Sequence, residues 1–167
     1  MIGIIDFRKA SGENIPDIVK YVKDYVNSHS NIEVVVTTDS QTKGNKTNFC
    51  TAVIMYDKGS PEEQHGHGAH CIWRKWHTPK YRKDQKLDRL RKEVDESIVI
   101  AKELRDNGVT VDLVDIDINP DEGEGKHNES NGVFSECVAK VEWEGFKCTW
   151  KKYGNDFAAF PDWIVKR

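Results

Sequence analysis

The stretch from 34 to 42, VVVTTDSQT, sets three valines and two threonines ahead of a single carboxylate with small polar neighbours. β-Branched residues favour extended backbone. An apolar run without alternation is that of a strand covered on both faces. Two readings follow for the residue that ends the run. Either the strand has reached the surface and turns, or Asp39 is held at the rim of a sheet to bind something.

Downstream, QTKGNKT carries turn chemistry and NFCTAVIMYD is a second strand, so the two form a hairpin. KGSPEEQHGHG is a further turn, and AHCIWRKWH a third strand. Upstream, NIPDIVKYVKDYVNSHSN predicts an amphipathic helix with Asn14 as N-cap, Pro16 near its first position, and Ile15, Ile18, Val19, Val22, Tyr25 and Val26 at helical spacing. From Asp84 to Asn107 the apolar positions Leu87, Leu90, Val94, Ile98, Ala101 and Leu104 step by three and four, and Asn107-Gly108 closes the helix. VTVDLVDIDIN is then a strand interrupted by aspartates. After the polar loop PDEGEGKHNESNG, the segments SECVAKVEWEG and FKCTWKKYG are read as two antiparallel strands, followed by a short helix around DFAAFPDWIVKR.

This order is similar to that of ribonuclease H-like domains. The expected fold is α/β and ribonuclease H-like: a mixed central sheet made of an antiparallel three-strand meander, a crossover helix and a parallel strand, flanked by helices. A length of 167 residues suits one domain, 1–167, with an N-terminal helix preceding the first core strand.

Composition narrows the class. With 37% hydrophobic and 32% charged residues, no apolar run long enough for a bilayer and no basic-plus-apolar leader, a soluble cytoplasmic protein is expected. Cys50, Cys71, Cys137 and Cys148 are far apart and form no CxxC pair, which predicts reduced thiols within strands. The net charge of −3 is segregated: Trp73 to Lys92 holds nine Lys or Arg against two Asp, whereas Asp112 to Glu136 holds eight acids against Lys126 alone. A basic stripe beside an acidic pocket suits an enzyme that grips a polyanion with one surface and metal ions with another. Within the stripe, Arg74, Lys75, Trp76, Lys80 and Arg82 are candidates for phosphate contacts and base stacking, as are Trp73 and Tyr81. Trp73 and Trp76 have opposite strand parity, so they cannot be buried on one face.

Two-metal phosphoryl chemistry needs several carboxylates converging on one point. Strand parity puts Val35, Thr37 and Asp39 on one face, and Val111, Leu113, Asp115, Asp117 and Asn119 on one face of the later strand. If the two strands are parallel neighbours, Asp39 and Asp117 meet at the same carboxyl edge, where open α/β sheets hold ligands. On the long helix, Glu93 and Asp95 lie at the borders of the apolar arc and Glu96 points to solvent. Asp162 falls in the first turn of the terminal helix, with Asp156 as its rival.

At these residues the chain resembles the bacterial YkuK family of predicted ribonuclease H-like proteins, through TTDSQ, LRKEVDESIVIA, DIDINP with the following KHNESN, and KYGNDFAAFPDW. The resemblance spans about residue 34 to the end. It implies that Asp39, Glu93, Asp117 and Asp162 form an acidic cluster for metal ions. The leading expectation is a nuclease that hydrolyses phosphodiester bonds of RNA, DNA or a hybrid with two Mg²⁺ or Mn²⁺ ions. Asp39 and Asp117 would be primary ligands, Glu93 a shared one, and Asp162 the partner of the second ion. Lys126, His127 or Asn128 would contact the phosphate. The alternative is a ribonuclease H-like module that binds nucleic acid or protein without catalysis. A zinc site from His65, His67, His70 and Cys71 is a more distant reading. Ser40 lacks the G-x-S-x-G context of a nucleophile.

Overall fold

Neighbouring strand residues point to opposite sides, so Val34, Val35 and Val36 can all leave water only if both faces of their sheet are covered. The computed structural model describes residues 6–62, 68–118, 130–150 and 157–167, without the side chains of 130 and 131. It contains strands β1 (Phe7–Lys9), β2 (Asn14–Ile15), β3 (Ile32–Lys43), β4 (Lys46–Asp57), β5 (Gly68–Pro79), β6 (Leu113–Ile116) and β7 (Lys147–Trp150). The helices are α1 (Ile18–Ser28), α2 (Lys86–Asp106), α3 (Ser130–Trp143) and α4 (Ala159–Lys166). The strands form one sheet in the order β2-β1-β5-β4-β3-β6-β7. β3, β4 and β5 are antiparallel neighbours, while β6 pairs parallel with β3 and β7 parallel with β6. The predicted meander, crossover helix and parallel strand are all present.

Val34 and Val36 turn to one face, where they join Val53, Met55, Ile72, Val114 and Ile116 in the larger core with residues of α1, α2 and α3. Val35 turns to the other, with Ala52, Ile54, Phe157 and Phe160. There α4 also lays Ile164 and Val165 on Cys50 and Trp73. Trp73 and Trp76 accordingly sit on opposite faces, Trp76 stacked on Phe49. The hairpin turns at Gly44, whose φ of 63° is the left-handed conformation a two-residue loop demands. α2 stops as predicted. Gly108 takes φ 89°, its N–H bonds to Arg105, and the N–H of Val109 reaches Leu104, the paired reversal that satisfies the last carbonyls.

Several expectations are corrected. Asn14 is not the cap of α1 but lies in β2, and Asp17 caps the helix by accepting from the Lys20 N–H at 2.9 Å. Pro16 thus precedes the cap. The short strands β1 and β2 pair with each other, β1 also with the outer edge of β5, and they carry no pattern long enough to signal them. SECVAKVEWEG is not a strand. It is the body of α3, because Val133, Cys137 and Val141 recur every four residues and are buried, while Gly145 (φ 89°) closes the helix with Phe146 N–H bonded to Val141. FKCTWKKYG supplies β7, parallel rather than antiparallel. Cys137 is therefore helical, and all four cysteines are free. Among the described residues no helix is long and apolar enough to cross a membrane.

The core makes an energetic statement that can be checked. Leu104 is fully buried under α2, whereas Trp143 at the end of α3 is 89% exposed. Leu104→Ala is expected to cost about 2–5 kcal/mol in urea denaturation, and Trp143→Ala no more than about 0.5 kcal/mol.

Candidate functional site

Strand β3 is buried without interruption from Val34 to Ser40, so its polar end is inside rather than on the surface. Thr38 shares hydrogen bonds with Thr51 at 2.9 Å and with Ser97 of α2 at 2.7 Å. Asp39 is 8% exposed. The β3–β6 register pairs Val35 with Leu113 and Thr37 with Asp115; two further steps bring Asp39 level with Asp117, on the face that α4 covers. Asp117 lies just beyond β6 and is exposed. α4 carries Asp162, which acts on Asp39 both as a charge and as a hydrogen-bond partner.

Glu93 arrives from the opposite face. It projects from α2, is 4% exposed, and accepts from the Ser40 hydroxyl through Oε1. Arg89, one turn earlier, donates through Nη1 to the Ser40 carbonyl at 2.9 Å and to its Oγ at 3.0 Å. Positions 89, 93 and 97, spaced by four on one helix face, thus form a polar seam along Ser40 and Thr38 inside an otherwise apolar contact. Asp95 instead pairs with Lys140 of α3. Glu96 does not point to solvent: its side chain is 15% exposed and binds Arg74 of β5 at 2.5 Å. Ile100 is buried as well, which widens the packed arc towards Glu96.

Neighbouring acids perturb both buried carboxyls, Asp39 and Glu93. Burial, then the charge of Asp117, and more weakly Asp162, push the Asp39 carboxyl up to about 7, against the hydrogen bond from the Ser40 N–H. Burial holds Glu93 well above the usual carboxylate range. The Ser40 hydrogen bond and Arg89 oppose this, while Asp39 and Asp117 reinforce it. Lys166, one turn after Asp162, donates to its Oδ2 at 2.5 Å, and Asp162 with Asp39 raises the ammonium group.

An all-oxygen set, with Asp39 and Glu93 buried and Asp117 and Asp162 open to solvent, has the chemistry that hard divalent cations such as Mg²⁺ or Mn²⁺ take, so the donors fit the group the sequence implies. Among the described residues, no three acidic, histidine or cysteine side chains are already gathered closely enough to hold an ion. Glu93 is bonded to Ser40 and Asp162 to Lys166 instead. Of the zinc candidates, His70 is bonded to Tyr21 at 2.7 Å and stacked on Tyr25, and His65 and His67 lie outside the described residues. Burial pushes the thiols of Cys71 and Cys137 up to about 11 and that of Cys148 to about 12, with Cys50 also raised, so all four stay protonated at neutral pH.

The basic stripe divides. Arg74 is largely spent inside the fold, paired with Glu96 and lying 4.4 Å over the Trp76 ring. Lys75 is exposed and reaches the Ile164 carbonyl at 3.3 Å on the α4 side. Lys80 and Arg82 line a groove with Lys83, Lys86 and Arg89 that ends at Ser40. Lys126, His127, Asn128 and Asp156 lie outside the described residues. No motif in the sequence singles out Ser40, Arg89, Lys83, Lys86 or Lys166 as a site residue. A signal existed for Arg89 and Lys166, each four positions from a candidate acid.

A mixed sheet with helices on both faces, and Asp39 level with Asp117 at the carboxyl edge of its parallel pair, places the chain in the class of open α/β folds. The family model described as Ribonuclease H-like matches residues 14–159, and the chain belongs to that family. The match includes Asp39, Glu93 and Asp117 and ends before Asp162. No curated protein and no solved structure matches the chain.

The raised carboxyl gives a signed pH dependence. Asp39 titrates near 7 when folded against 3.8 as a free side chain, so its contribution to stability is complete below about pH 4 and is lost as pH rises through 7. Urea midpoints should therefore show Asp39→Asn more stable than the wild type at about pH 8 and level with it at about pH 4.

Proposed function

We propose that this chain is a metal-dependent nuclease that hydrolyses phosphodiester bonds of nucleic acid. The observation that carries this reading is that acids from separate elements converge on two buried carboxyls at one sheet edge: Asp117 and Asp162 act on Asp39, and Asp39 and Asp117 act on Glu93. Asp39 and Asp117 are the primary ligands, Glu93 a shared ligand and Asp162 the partner of a second ion. Two Mg²⁺ or Mn²⁺ ions held there supply charge neutralisation, water activation and stabilisation of the leaving oxygen. The chain's own residues do the positioning. Ser40 fixes Glu93, Arg89 fixes Ser40, and the cations beyond Arg89 draw a phosphate backbone towards the edge.

A second reading, a ribonuclease H-like module that binds without cleaving, draws on the Lys166 ammonium beside Asp162, a fixed cation among the acids. One experiment separates the two. With Mn²⁺ or Mg²⁺, the protein is expected to cleave at least one of a single-stranded, duplex or hybrid oligonucleotide. Mn²⁺ at about 100 times its Kd should add about 2.7 kcal/mol of stability. Asp39→Asn should remove both effects. Binding that survives this substitution, with no cleavage under either metal, selects the module.

A further inference from the structure

The groove that ends at Ser40 has a volume of about 580 Å³. One wall is the end of β3, residues 40–42, and the other is the segment from Lys80 to Arg89, which presents five cations and Tyr81. Tyr81 is fixed at both backbone and ring. Its N–H donates to Thr47 Oγ1 at 3.0 Å, and its ring stands edge-on to Phe49, which stacks on Trp76. Lys80, Lys83 and Lys86 are exposed, Arg82 is paired with Asp84, and Arg89 is bonded to Ser40 at the groove's inner end.

We infer that this groove is the track for a single-stranded segment of nucleic acid, entering beside Tyr81 and directed by Arg89 and Ser40 to the acid centre. The inference rests on the nuclease reading and names the form of its substrate. The volume is that of a pocket for a small molecule, within the range of about 300–1,000 Å³. A duplex, broad enough that its major groove alone is about 12 Å wide, is too wide to lie within a groove of this volume. Its bases are also stacked on one another and closed to Tyr81, whereas an unpaired base offers its face to a ring while lysines hold the backbone. Ser40 touches both halves of the path: it accepts from Arg89 on the groove side, donates to Glu93 on the other, and follows Asp39 in the chain.

The test uses the full-length chain carrying Asp39→Asn, without divalent metal, and fluorescence anisotropy with labelled oligonucleotides of one sequence as single strand, duplex and hybrid. The single strand is expected to bind at least tenfold tighter than either paired form. Tyr81→Ala should weaken it by about 5- to 100-fold. Lys83→Gln with Lys86→Gln, both exposed and free of any packing role, should lower the slope of log K against log salt by about 1.4. Equal or tighter binding of duplex or hybrid overturns the inference, as does a single-strand affinity that neither variant changes. Failure of the two ideas differs: intact groove binding without cleavage by the wild type removes the nuclease reading alone. Cleavage of paired substrates with no single-strand preference removes the groove inference alone.

Discussion

Everything at the sheet edge depends on the parallel pairing of β3 with β6. Three paired positions, Val35 with Leu113, Val36 with Val114 and Thr37 with Asp115, join segments 78 residues apart in the chain. That contact obliges α2 to cross over the sheet, which buries one face of β3. It also sets the carboxyl ends of both strands level, so that the exposed Asp117 stands beside the buried Asp39. Two like charges in such a place raise each other's proton affinity, and the Asp39 carboxyl carries that mark.

The edge is also where the two faces of the sheet meet. Asp39, Asp117 and Asp162 come from the α4 side, and Glu93 comes from the α2 side by way of Ser40. No single face could supply all four. The polar seam of Arg89, Glu93 and Ser97 explains how a helix otherwise packed through leucine, isoleucine and valine delivers a carboxyl to the rim without leaving it unsatisfied. The same arginine lines the cationic groove and bonds to the serine that holds Glu93, so the groove adjoins the acid edge in space.

Much of this was legible in the chain because it is written in local periods. The unbroken apolar run of β3, the three-and-four spacing of α2 and the parity of Asp39 and Asp117 each need only a few neighbouring residues. What escaped needed long-range knowledge or a choice between periods. In α3, Val133, Cys137 and Val141 have helical spacing, but VEWEG also alternates apolar and polar, and the strand period was preferred. Glu96 looks solvent-facing unless Ile100 belongs to the helix face, and it does. Arg74 looks like a surface cation in the sequence, but Glu96, distant in the chain, pairs with it. Ser40 offers no motif at all, since its importance comes from partners 49 and 53 positions away.

The helix that carries Asp162 is eight residues long and held by Phe160, Ile164 and Val165 against the sheet. Isolated helices of that length are not stable in water, so its place is on loan from tertiary contact. Detachment of the tail is a local opening of the kind that leaves a sheet intact. The position of Asp162 beside Asp39 therefore depends on those apolar contacts, not on any stability of its own helix.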